Sequence, residues 1–121
     1  MGIDIRISKR EYLYAPSQAS LKETVTKLME KHLGKSLRGY DISNISIELT
    51  CWRGYGLADW FNDHDCGDGM DITRAQLQEL AEDCKNGQVM DVDPAFASEI
   101  AADVHKILTD FPDAYFSVAI W

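Results

Sequence analysis

The sequence predicts a small α+β domain, with a three- or four-stranded sheet and about three main helices plus one short helix packed mainly on one face. Segments of alternating apolar residues lie near both ends and in the middle of the chain, and segments with helical apolar spacing and capping residues lie between them. With 121 residues, 45% of them apolar, the chain can form one hydrophobic core. We therefore expect a single globular domain over residues 1–121.

The first predicted elements are a strand and a helix. Isoleucines alternate with polar residues over residues 3–8, which is typical of a strand with one buried face. Pro16 and a capping box at residues 20–23 predict the start of a helix, and Gly34 predicts its end. The apolar stripe of this helix contains Leu21, Val25, Leu28, Met29, His32 and Leu33.

The clearest strand in the sequence covers residues 45–52. Its alternation places Cys51 toward the core and Trp52 on the opposite face. Two glycines then end the strand, and bulky residues at helical spacing within residues 57–61 predict a short helix.

The C-terminal half of the sequence predicts a loop, two helices and a strand. The glycine and aspartate content of residues 62–72 indicates the loop. A capping box at residues 73–76 starts one helix, and Asp93 followed by Pro94 starts the next. Alternation over residues 115–121 predicts the last strand.

Charge is distributed unevenly along the chain, whose net charge is −8. Residues 1–40 contain 8 basic and 4 acidic residues, whereas residues 41–121 contain 4 basic and 16 acidic ones. An acidic surface repels nucleic-acid phosphates and attracts basic proteins, so we expect a protein partner with a basic surface and no direct nucleic-acid binding. Solubility alone is the alternative explanation of this charge.

The sequence shows no recognisable membrane-spanning segment or export signal. No apolar run approaches the roughly 20 residues that span a bilayer, and the first residues lack the pattern of a signal peptide. We therefore expect a cytoplasmic protein with no membrane partner.

Residues 51–66 contain two of the three tryptophans, one of the three histidines and two of the three cysteines. Aspartates follow to residue 71. Aromatic residues and arginine dominate protein interfaces, which makes this segment the candidate partner-binding surface, although the aromatic residues could instead be core that holds the short helix. The candidate residues are Trp52, Arg53, Tyr55, Asp59, Trp60, Asp63, His64, Asp65, Asp68 and Asp71.

Metal ligands are abundant in residues 59–71 but match no known pattern. An EF-hand loop starting at Asp63 would require glycine at Asp68 and glutamate at Arg74. Zinc sites use about four nitrogen or sulfur ligands, and only His64 and Cys66 are present. The sequence therefore predicts no metal, no cofactor and no catalytic residue.

The three cysteines are too few and too far apart for a disulfide framework. Cys51 and Cys84 lie on apolar faces and are expected in the core. Cys66 lies in a polar loop and is the candidate for an exposed thiol.

Several motif residues also match the pattern YWRKAN-x-IH-x-WF, followed by a DCG loop and a helix of the form LxxLxxxC. The matching residues are Trp52, Arg53, Leu57, Trp60, Phe61, Asp65, Cys66, Gly67, Leu77, Leu80 and Cys84. In these residues the chain resembles a widespread family of small bacteriophage and prophage proteins with no assigned activity. The resemblance covers residues 45–87 and implies a phage or prophage origin and a common architecture. The family's Lys-Ala-Asn is replaced by glycine, Tyr55 and glycine, and its histidine by Ala58.

Three functional hypotheses follow. The first is a non-enzymatic phage-type protein that binds, and inhibits or modulates, a host defence protein. The second is a metal- or thiol-dependent enzyme centred on residues 59–71. The third is an immunity protein that neutralises a basic toxin, which would have the same acidic surface.

Overall fold

The computed structural model describes residues 2–112 and 115–121, and it confirms the predicted α+β class. Four strands form one antiparallel sheet in the order β2-β1-β4-β3. None of the helices among the described residues is both long and apolar enough to cross a membrane. The elements are β1 (Asp4–Tyr12), a 3-10 turn (Pro16–Gln18), α1 (Ala19–Leu33), β2 (Asn44–Arg53), α2 (Tyr55–Asp63), β3 (Asp71–Ile72), α3 (Arg74–Lys85), α4 (Pro94–Asp110) and β4 (Phe116–Ile120).

The chain divides into two compact units, of which the smaller spans residues 10–47. The remainder is called the larger unit below, and it contains the candidate site. The expectation of a single domain over residues 1–121 stays a prediction.

The smaller unit contains α1, which ends at Gly34 as predicted, with a left-handed backbone at φ 69°. The predicted capping box at residues 20–23 is wrong, because the 3-10 turn leads directly into α1 and Gln18 occupies the N-cap without a side-chain cap. No residue of α1 is buried, and Leu28 is 63% exposed. The apolar stripe of this helix is thus a surface feature.

The core of the larger unit lies between the sheet and the helices α2, α3 and α4. In the β1–β4 pair, Ile5 lies opposite Ile120 and Ile7 opposite Val118. The short strand β3 extends the sheet beside β4. From the helices, the buried side chains include Leu57 and Phe61 of α2, Leu77, Leu80 and Cys84 of α3, and Ile100, Val104, Ile107 and Leu108 of α4.

The orientation of β2 is opposite to the prediction at its C-terminal end. Trp52 is buried and Cys51 is exposed, while Ile47 on the side of Cys51 is 57% exposed. Trp52 is the one apolar residue on its side of β2, and its indole packs against Phe61 and donates its N–H to Asp103 of α4, contacts that the alternation of residues 45–52 does not encode. Leu49, on the side of Cys51, still packs against the core as a partly buried residue.

The helix starts after the loop agree with the sequence. Thr73 and Gln76 form a complete capping box, in which each side chain bonds the other residue's backbone N–H. The Asp93 carboxylate accepts a hydrogen bond from the backbone N–H of Phe96 at 2.8 Å, at the start of α4. These caps fix where α3 and α4 begin.

Close packing at Gly56 yields a stability prediction. A Cβ added at this position would overlap the backbone carbonyl of Met90. We expect Gly56→Ala to lower the free energy of unfolding by about 1–3 kcal/mol, since either α2 or the segment around Met90 must shift. Urea denaturation followed by tryptophan fluorescence measures this. Asp59→Ala, at an exposed position of the same helix, is the control, and equal midpoints for both variants would contradict the packing.

Candidate functional site

The predicted site begins where β2 turns into α2. Gly54 has φ 148°, a backbone conformation that glycine adopts readily and other residues rarely do. The helix α2 follows this turn directly and buries the side that contains Leu57 and Phe61. Its exposed side carries Asp59 and Asp63.

Three of the four aromatic residues of the segment form core. Trp52 is 3% exposed and Trp60 is 5% exposed. The Phe61 ring packs near both indoles, with its centroid 6.4 Å from that of Trp52 and 5.3 Å from that of Trp60. Of the two interpretations that the sequence left open, the structure therefore supports core packing for these three rings.

Each buried indole donates its N–H to a carboxylate on a different helix. Trp52 Nε1 lies 2.8 Å from Asp103 Oδ2 on α4, and Trp60 Nε1 lies 2.9 Å from Asp83 Oδ2 on α3. A buried indole N–H requires an acceptor, so these two bonds fix where the β2–α2 segment packs.

Arg53 and Tyr55 have exposed side chains. Arg53 Nε donates to Asp4 Oδ1 at 2.8 Å, an ion pair between β2 and the start of β1. The hydrogen bond from Arg53, together with the charges of Arg53 and Arg6, holds the pKa of the Asp4 carboxyl below its usual value. Arg53 thus has a structural partner within the larger unit.

The cysteine predictions for this segment are wrong. Asp65 adopts a left-handed backbone at φ 57°, and this turn folds Cys66 back so that its N–H bonds the carbonyl of Phe61 at 3.0 Å. The Cys66 side chain is fully buried, and Cys84 is buried as predicted. Burial, followed by the charges of neighbouring carboxylates, raises the pKa of both thiols to about 11. Neither thiol is a poised nucleophile.

All five predicted aspartates are exposed. Asp68 has a structural role, because its Oδ1 accepts a hydrogen bond from the backbone N–H of Ile120 at 2.8 Å. Within the described part of the chain, the side chains of the other four make no hydrogen bond and no ion pair. These four, called the free aspartates below, are Asp59, Asp63, Asp65 and Asp71.

His64 is the C-cap residue of α2, and several contacts position it. Its Nδ1 lies 2.7 Å from the carbonyl oxygen of Trp60, and its ring stacks on the Trp60 indole at 4.0 Å between centroids. Gln76 donates a hydrogen bond from Nε2 to the His64 carbonyl, which ties His64 to the start of α3. The histidine is therefore held by α2 on one side and by α3 on the other.

The free ring nitrogen of His64 faces two carboxylates that the sequence did not single out. Nε2 lies 3.6 Å from Glu79 Oε1 and 3.9 Å from Asp83 Oδ2. Glu79 and Asp83 are four residues apart on α3 and so lie on one side of that helix. That spacing was the available signal, but only the fold shows that His64 lies opposite it.

A groove brings part of the predicted site together. It has a volume of about 440 Å³, and its lining includes Asp59, Asp63, His64 and Asp83. Asp65, Asp68 and Asp71 are exposed but do not line it. The predicted set thus separates into two buried tryptophans, of which Trp60 also lines the groove, the groove residues Asp59, Asp63 and His64, and exposed residues outside the groove. These last are Arg53, Tyr55, Asp65, Asp68 and Asp71.

Comparison with known protein families, with curated proteins and with solved structures found no match.

Thiol exposure gives a prediction about reactivity. At pH 8 we expect one fast-reacting thiol, Cys51, because Cys66 and Cys84 are buried and roughly one in a thousand of such thiols is ionised. Labelling of the native protein with an aromatic disulfide reagent measures this. Cys51→Ser should remove the fast phase and Cys84→Ala should leave it, whereas a fast phase that survives Cys51→Ser would show that a second thiol is accessible.

Proposed function

We propose that this protein acts by binding a protein partner with a basic surface, through the free aspartates of the larger unit. The observation that carries the proposal is that the charges of Asp59, Asp63, Asp65 and Asp71 are exposed and are not neutralised by any described basic side chain. Unpaired exposed charge of one sign steers and orients a partner of the opposite sign.

The buried aromatic residues refine this proposal. Trp52 and Trp60 supply core packing, so the proposed contact with the partner is electrostatic and does not rest on a tryptophan anchor. Such a contact is sensitive to salt, because exposed charges are screened over about 8–10 Å at physiological ionic strength.

The proposal extends to a biological setting. The resemblance to phage and prophage proteins supports action in the bacterial cytoplasm. The acidic surface supports inhibition or modulation of a host protein with a basic surface, such as a defence protein that handles nucleic acid. The buried, weakly acidic thiols give no support to a thiol-dependent enzyme. An immunity protein for a basic toxin would use the same aspartates, and identification of the partner distinguishes the two.

The test of this proposal removes the negative charges of the free aspartates and keeps the shape of their side chains. The test variant changes all four free aspartates to asparagine, and Asp68 stays because it bonds the sheet. The control variant changes four carboxylates elsewhere to their amides, which gives the same net charge. These are Glu23, Glu48, Glu99 and Asp110.

Partners are captured from bacterial lysates at low and high salt, and affinity is then measured with the purified partner. We expect a stoichiometric partner whose affinity falls with salt and falls about tenfold or more in the test variant, a loss of about 1.4 kcal/mol or more in binding free energy. The control variant should stay within about threefold of the wild type. Equal affinity of the test variant, affinity that salt does not change, or no stoichiometric partner in any host would contradict the proposal.

A further inference from the structure

The cluster of His64, Glu79 and Asp83 combines one imidazole with two carboxylates. One potential ligand atom from each residue lies within 4.8 Å of the other two. Metal–ligand bonds of about 2.0–2.2 Å place neighbouring ligand atoms about 3.0–3.6 Å apart, so small side-chain rotations bring this trio to bonding distance. Glu79 is half-exposed and free to make such a rotation.

The hydrogen bond of His64 determines which ring nitrogen faces the carboxylates. A carbonyl oxygen only accepts hydrogen bonds, so Nδ1 carries the proton that is donated to Trp60 at 2.7 Å. In the neutral imidazole, Nε2 then presents its lone pair toward Glu79 and Asp83. Histidines that bind metals through one ring nitrogen almost always donate a hydrogen bond from the N–H of the other. This hydrogen bond fixes the tautomer and the ring orientation.

Asp83 is oriented by a comparable contact. Trp60 Nε1 donates to Asp83 Oδ2 at 2.9 Å, so the same indole stacks on His64 and holds the carboxylate. No described lysine or arginine pairs with Glu79 or Asp83, and their two negative charges therefore face His64 without a cation. The groove beside Asp83 admits solvent, which leaves room for water at further coordination positions.

We propose that His64 Nε2, Glu79 and Asp83 bind a divalent transition-metal ion. One nitrogen and two carboxylate donors suit zinc and its neighbours in the first transition row, whereas calcium and magnesium prefer ligand sets of oxygen alone. The two carboxylates neutralise the charge of the ion. This site goes beyond partner binding and does not depend on it, because the ligands Glu79 and Asp83 are not among the free aspartates.

The first test is zinc binding by calorimetry after treatment with a chelator. The protein carries Cys51→Ser, since Cys51 is exposed and would otherwise supply a competing ligand. We expect one zinc ion per chain and about tenfold or greater loss of affinity in each of Glu79→Gln and Asp83→Asn. Both changes nearly preserve shape, and the amide oxygen in Asp83→Asn still accepts the Trp60 hydrogen bond.

Matched controls separate this site from adventitious binding. Glu82→Gln removes an exposed carboxylate of α3 outside the cluster, and His105→Ala removes an exposed histidine outside it. Both should bind zinc within about threefold of the parent, because neither supplies a ligand. Zinc should also raise the melting temperature of the parent but not that of Asp83→Asn.

Four results would overturn the proposal: no saturable zinc binding, unchanged affinity in both ligand variants, equal loss in the two controls, or calcium binding as tight as zinc. The first would show that the three side chains lie close together without binding an ion. The last would show that the imidazole is not a ligand.

Discussion

The packing of the larger unit depends on satisfying two buried indole N–H groups. Trp52 and Trp60 bury large apolar surfaces, but each ring has a polar N–H that requires an acceptor. Asp103 on α4 and Asp83 on α3 supply the acceptors. Loss of either acceptor would leave a buried donor unpaired, at a cost of about 1–3 kcal/mol. The two bonds therefore link the β2–α2 segment to α3 and α4.

The same constraint explains how His64 comes to face α3. Trp60 positions Asp83 through its N–H, positions His64 through its carbonyl oxygen, and supports the imidazole through stacking. Gln76 completes the arrangement, because its Oε1 accepts a hydrogen bond from the N–H of Thr73 and its Nε2 donates one to the His64 carbonyl. Core packing and the proposed metal site thus share Trp60, so the geometry of the ligands is set by residues that the fold requires in any case.

Most features with a local cause were predictable from the sequence, the capping box at residues 20–23 being the exception, and features set by tertiary contacts were not. The caps at Thr73 and Asp93 depend on residues three positions apart, and both are as predicted. The buried side of β2 depends instead on tertiary contacts, because Trp52 packs against Phe61 and bonds Asp103 of α4. Burial of Cys66 depended on the left-handed turn at Asp65, and the His64 cluster depended on α3 packing beside α2. Neither is encoded in short-range spacing.

Two groups of carboxylates in the larger unit differ in a way that bears on function. Asp4, Asp68, Asp83 and Asp103 each accept a hydrogen bond that holds elements of the larger unit together. The free aspartates make no such bond within the described residues, and like charges on neighbouring positions repel one another. The fold therefore gives no reason for their charge. The proposed basic partner would give one, because each unpaired carboxylate would gain in that complex the counter-charge that it lacks in the isolated chain.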